Sequence, residues 1–78
     1  MPHVEIWHFP ATVSDERREQ LERDVVTAVA RAYGVDAGVV SIGTHAVDPG
    51  HWDQVVYQPL IGGRDDDEDS RLLRRPNY

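Results

Sequence analysis

Apolar and polar residues alternate through residues 3–9. Val4, Ile6 and His8 fall on one side, and His3, Glu5, Trp7 and Phe9 on the other. A period of two in β-favouring residues predicts a strand. Pro10 ends it, because proline cannot donate to a ladder, and Ala11, Thr12 and Val13 make a short connection. Ser14 then reads as a helix N-cap, with Asp15 and Glu16 suited to the positive end of the helix dipole. From here the period changes. Leu21, Val25, Ala28, Val29 and Ala32 recur at helical spacing and define one apolar face. Glu19 and Arg23 make an i,i+4 pair on the solvent side, and Gly34 suits the residue just past the helix end. Residues 39–47 read as a second strand, in which Val40, Ile42 and Thr44 share a face.

Strand, helix and strand in this order predict a βαβ unit with parallel strands and a right-handed crossover. Two strands and one helix cannot cover both faces of a sheet. The face carrying Trp7 and Phe9 is therefore expected to meet another subunit. Beyond the unit, Asp48-Pro49-Gly50 is a turn signal. Residues 51–61 suit one or two helical turns broken before Pro59. Gly62-Gly63 reads as flexible, and the acidic run over residues 65–69 as a solvated loop or helix start. Residues 70–75 suit a short helix that Pro76 terminates. No internal repeat or second domain is visible, so residues 1–78 are expected to form a single domain.

Composition narrows the function. At 78 residues, a chain buries only about 60 % of its unfolded surface. With no cysteine, neither disulfides nor thiolate zinc sites can compensate, and oligomerisation is the remaining common remedy. A net charge of −6 argues against nucleic acid and anionic membranes as partners. The first residues lack the pattern of a signal peptide, and no stretch approaches the roughly 20 apolar residues that span a bilayer. A cytoplasmic location is expected. His3 and His8 lie on opposite strand faces, His45 and His51 are separated by a turn, and the acidic run lacks the alternation and glycine of a calcium loop, so no metal site is expected.

One feature carries candidate chemistry. Pro2 directly follows Met1, and loss of Met1 would give Pro2 a free secondary amine. The chain has no lysine; all eight basic side chains are arginines. Amine chemistry would therefore belong to the N-terminus. A general base works best with a pKa near ambient pH. Desolvation and a neighbouring arginine would both lower the pKa of a secondary amine toward that range.

Four stretches carry a resemblance: Pro2-His3-Val4-Glu5-Ile6, Phe9-Pro10, Val47-Asp48-Pro49-Gly50-His51-Trp52, and Arg74-Arg75-Pro76-Asn77-Tyr78. In order and spacing the chain resembles the 4-oxalocrotonate tautomerase family, and within it the small bacterial PptA-type subgroup. Residues 62–69 look like an insertion relative to that subgroup. The resemblance implies an α/β protein of the tautomerase (MIF-like) fold, with a βαβ unit, a short helical C-terminal segment and a sheet completed by oligomerisation, a homodimer at least. It also implies a cofactor-free keto–enol tautomerase for a small 2-keto acid or enol, such as a phenylpyruvate-like compound. Pro2 is then the acid/base, with Met1 removed. The best-known members carry an arginine before the helix and another in the second strand. This chain has Thr12-Val13 and Ser41 there, and the PptA-type subgroup likewise lacks both arginines. Trp52 falls near the family's aromatic wall. Arg75, Arg74 and Arg64 are candidate carboxylate binders, with Arg75 favoured, and Ser41 is a further candidate for the pocket.

Each of these residues also has a plain structural reading: an edge-strand proline, a core tryptophan, a solvated basic tail, a strand serine. Two functional alternatives stay open. One is a dehalogenase or Schiff-base activity at the same proline. The other is a non-catalytic structural or binding protein of the same fold.

Overall fold

Two strands, β1 (His3–His8) and β2 (Ser41–Ala46), pair in parallel in the computed structural model, which describes residues 1–78. Between them runs α1 (Asp15–Tyr33), so the chain is an α/β protein built on a βαβ unit. The register sets His3 beside Ser41, Glu5 beside Gly43 and Trp7 beside His45. Val4, Ile6 and His8 lie opposite Ile42, Thr44 and Ala46. Successive residues alternate across a sheet, so the first set of pairs occupies one face and the second set the other. No helix is long and apolar enough to cross a membrane. The chain forms two compact units, Met1–Ala46 and Val47–Tyr78.

Both ends of α1 form where the sequence places them. Ser14 is extended (φ −63°, ψ 154°), and its Oγ accepts the Arg17 N–H at 3.2 Å, satisfying one of the donors that a helix start leaves open. Gly34 turns left-handed at φ 64°, a conformation open to a residue without Cβ, and its N–H returns to the Ala30 carbonyl. The Val35 N–H reaches the same carbonyl at 3.0 Å. Within the helix, Arg23 donates to Gln20 at 2.9 Å instead of pairing with Glu19, and Gln20 in turn donates to Asp24 at 2.8 Å. The covered stripe is also turned from the predicted one. Val25, Val26, Val29 and Ala30 are half-buried, whereas Ala28 and Ala32 are exposed and Leu21 is 41 % exposed. No residue of the first unit is fully buried.

The strands are shorter than the hydrophobic pattern implied. β1 stops at His8, leaving Phe9 outside it. β2 starts at Ser41 because Ala37–Val39 tightens into a 3-10 turn. There the Val39 and Val40 N–H groups bond to Asp36 and Ala37 carbonyls at 3.1 and 3.2 Å, so their donors are used locally. Val47 follows β2 and is buried.

In the second unit a 3-10 turn, Pro49–His51, leads into a π-helical segment, Asp53–Gly62, that runs through Pro59. The expected break before Pro59 does not occur. In an α-helix the proline ring would meet the carbonyl of Val55, four residues back. The wider π turn closes five residues back instead, as seen where the Gly63 N–H meets the Gln58 carbonyl at 2.8 Å. Gln58 also donates to Asp53 Oδ1 at 3.2 Å. Val56, 4 % exposed, is the best-buried side chain of this segment. Residues 70–75 are not helical, contrary to expectation. Asp67 Oδ1 accepts the N–H groups of Asp69 and Ser70 at 2.9 and 2.8 Å, and Asp66 accepts that of Leu72 at 3.2 Å. These aspartate carboxylates tie the acidic run into a hydrogen-bonded loop.

Ser14→Ala should destabilise the fold by about 1 kcal/mol through loss of the N-cap. Gly34→Ala should cost roughly 1 kcal/mol by placing a Cβ in the left-handed region. Urea denaturation of each variant measures both; a neutral Gly34→Ala would reject the left-handed cap.

Candidate active site

Pro2 is half-buried at the head of β1, and its carbonyl accepts the Ser41 N–H at 3.2 Å. The preceding Met1 is 96 % exposed and packs against almost nothing. Ser41 is therefore brought to Pro2 as a backbone partner. Its side chain belongs to the sheet face that carries His3, Glu5 and Trp7.

On that face each register pair makes a specific contact. Ser41 Oγ lies 2.6 Å from His3 Nδ1. The opposite edge of the His3 ring, Nε2, donates to Glu5 Oε1 at 2.6 Å, and His45 Nε2 donates to Glu5 Oε2 at 2.7 Å. His45 stacks on Trp7 with ring centroids 4.9 Å apart and planes at 16°. Gly43 makes room for the hub: a Cβ there would come within 2.6 Å of Glu5 Oε2. The His3 bond first, and the His45 bond after it, hold the Glu5 carboxyl below its ordinary value, while partial desolvation pushes the other way. An ionised Glu5 accepts at both oxygens, so both histidines carry a proton on Nε2. In neutral His3 the Nδ1 is then an acceptor for the Ser41 hydroxyl.

The other face of the sheet borders a cavity of about 570 Å³ lined by Ile6, Phe9, Val13, Leu21 and Ala46, with His8 and Arg18 among its few polar groups. Pro2 does not line it. Phe9, Val13 and Leu21 remain 50, 42 and 41 % exposed. Phe9 thus lies with Ile6 and His8 and not, as the alternation implied, on the face of Trp7, because β1 ends before it. Arg18 is engaged by Asp15 and by the Val13 carbonyl, each at 3.2 Å.

In the second unit Trp52 is half-buried, and its indole N–H donates to the Tyr78 hydroxyl at 3.0 Å. Tyr78 also meets the Tyr57 ring, with centroids 5.8 Å apart. Trp52, Asp53, Tyr57 and Tyr78 line a depression of about 200 Å³. Arg64 is committed to the acidic loop. Its Nε donates to Asp66 at 2.7 Å and its Nη2 to Ser70 at 2.9 Å. The Arg64 bond, then the Leu72 N–H, hold Asp66 below its ordinary value. Arg74 and Arg75 are exposed.

Sequence reading missed Glu5, His3 and His45 as one cluster, although strand parity already placed His3 and Glu5 together. His45 needed the register. It also missed Tyr57 and Tyr78 as partners of Trp52. Residues 52 and 57 stand five apart, a spacing that matches a π turn and not the 3.6-residue period used to read the sequence.

The fold defines the class, a small α/β protein built on a βαβ unit. No protein-family model matches it. Curated relatives do, over nearly their whole length. The chain is 30 % identical to Tautomerase PptA of Enterobacter sp. and of Klebsiella pneumoniae, and 27 % identical to that of Pectobacterium carotovorum. Each alignment spans 78 residues, all of this chain and 97 % of the relative. The chain belongs to the PptA tautomerase family.

Because the folded value of Glu5 is depressed, its ionised form stabilises the fold above the ordinary glutamate range. That contribution is lost as pH falls through the folded value. Glu5→Gln should therefore destabilise the protein more near about pH 6 than near about pH 3. Urea midpoints at the two pH values measure this; an equal loss at both rejects the ionised hub.

Proposed function

We propose that the chain is a cofactor-free keto–enol tautomerase acting on a small 2-keto acid or its enol, with a phenylpyruvate-like compound as the model substrate. The observation that carries the reading is the placement of Pro2: half-buried at the start of β1, tied to β2 through its carbonyl, and preceded by a methionine without packing. The full-length likeness to proteins named tautomerases supports it. Removal of Met1 takes no buried surface from the fold and converts the Pro2 amide into a secondary amine.

In the enolising direction the Pro2 amine takes a proton from the carbon beside the keto group. The electron pair moves onto the carbonyl oxygen, and the proline ammonium then protonates that oxygen. The amine is regenerated and no atom is gained or lost. Trp52 is assigned to substrate packing and the Arg74–Arg75 pair to the substrate carboxylate, with Arg75 the first candidate. Arg64 is less suited because it is already tied to Asp66 and Ser70 and its charge is paired with the Asp66 carboxylate. Ser41 is assigned through its backbone hold on Pro2. Residues 1–78 act as one tautomerase domain in this reading, matching the extent of the relatives.

The reading includes self-association. The first unit buries no residue fully, and Phe9, Val13 and Leu21 stay exposed around the helix-side cavity. A second copy of the chain supplies the missing apolar cover and completes the sheet.

In the protein lacking Met1, Pro2→Ala should slow phenylpyruvate enol ketonisation by about 100-fold or more. Equal rates in variant and wild type would reject Pro2 as the base, and intact mass reports whether Met1 is gone. Borohydride reduction with a carbonyl compound should label one position, since the chain has no lysine. Sedimentation should give a dimer or larger species that Leu21→Glu shifts toward monomer; a monomeric wild type at micromolar concentration would sink the assembly.

A further inference from the structure

We infer that the polar network on the outer face of the sheet is a latch that positions Pro2, with His3 and Glu5 acting through Ser41. The inference rests on the reading of Pro2 as the base.

Pro2 immediately precedes β1 and His3 opens it, at the end of a ladder where pairing ordinarily frays. The backbone bond from the Ser41 N–H to the Pro2 carbonyl is a terminal rung of the ladder. Alone, such a rung opens readily, because it has a neighbour on one side only. Here Ser41 is held twice. Its N–H grips Pro2, and its Oγ meets the ring of His3, the next residue of the same strand, at 2.6 Å. Pro2 and the first residue of β1 are thus both fastened to one residue of β2.

The His3 ring is itself fixed. Glu5 Oε1 takes its Nε2–H at 2.6 Å, which sets the tautomer and aims Nδ1 at the serine hydroxyl. Glu5 does not swing away, because its second oxygen is held by His45 at 2.7 Å and His45 is stacked on Trp7. Glycine at position 43 leaves the carboxylate its place, since a Cβ there would come within 2.6 Å of Glu5 Oε2. The chain Trp7, His45, Glu5, His3, Ser41 therefore runs the length of the strand pair and ends at Pro2. His3, Glu5 and His45 are the titratable groups on this face, and none has a part in moving the substrate proton. Proton transfer is sensitive to placement: a misplacement of about 1 Å can cost on the order of 100-fold in rate.

The test uses the full chain without Met1 and compares Ser41→Ala, His3→Ala and Ser41→Thr. Ser41→Ala and His3→Ala should speed hydrogen exchange of the residue-41 amide by about tenfold relative to amides of α1. They should lower kcat for ketonisation by about tenfold while KM stays within about twofold. Ser41→Thr keeps the hydroxyl and should restore both. Ser41→Ala removes one exposed oxygen, so it keeps the test valid if His3→Ala does not fold.

Unchanged exchange in both alanine variants overturns the latch. Faster exchange with unchanged kcat overturns the positioning role, and a raised KM with unchanged kcat makes Ser41 a substrate contact instead. If the wild type does not ketonise at all yet the alanine variants exchange faster, the latch stands and the failure belongs to the Pro2 reading.

Discussion

Glu5 sits at the point on which the first unit most depends. It is the one carboxylate on the sheet face that carries His3 and His45, and both of its oxygens are taken by imidazole N–H groups. The contact joins β1 to β2 by side chains where the backbone ladder is only two strands wide. A two-stranded sheet is marginal by itself. Here each outer-face register pair adds its own device: a hydroxyl against a ring nitrogen, a carboxylate over a glycine, an indole stacked on an imidazole. Cross-strand pairs of this kind are the unit by which sheets are stabilised. An added Cβ at position 43 would displace the Glu5 carboxylate from its place between the two histidines.

The opposite face works by a different physics. Val4, Ile6 and Ile42 turn away from that network, and α1 contributes Val25, Val26, Val29 and Ala30 as its half-buried stripe. Near the start of the helix the packing is incomplete, and the cavity beside Leu21 and Phe9 remains. A chain of this length cannot close an apolar core around one helix and two strands. The polar face is internally satisfied, whereas the apolar face is short of material. That asymmetry bears directly on the proposed chemistry. An amine at the head of β1 needs a firm backbone and a poorly hydrated setting, and the polar network supplies only the firmness.

In the second unit acidic side chains do the organising. Asp66 and Asp67 accept backbone donors, and Arg64 clamps Asp66. The acidic run is thus a tied loop rather than a bare solvated stretch. Pro59 shows a parallel effect of local geometry over propensity. Proline was expected to end the helix, and the π turn accommodates it.

Sequence alone determined the βαβ order of the first unit, the caps at Ser14 and Gly34, and the parity that puts His3, Glu5 and Trp7 on one face. Each of these follows from short-range rules: period, capping and alternation. It also singled out Pro2, because position in the chain and the absence of lysine are visible without a fold. Tertiary structure decided what those rules cannot reach. The register brought His45 to Glu5 and Gly43 beneath it, across some forty residues of intervening chain. The π turn brought Tyr57 to the neighbourhood of Trp52 and Tyr78. Pairing between distant segments depends on which residues meet, and a one-residue slip would send every side chain of the strand to the other face.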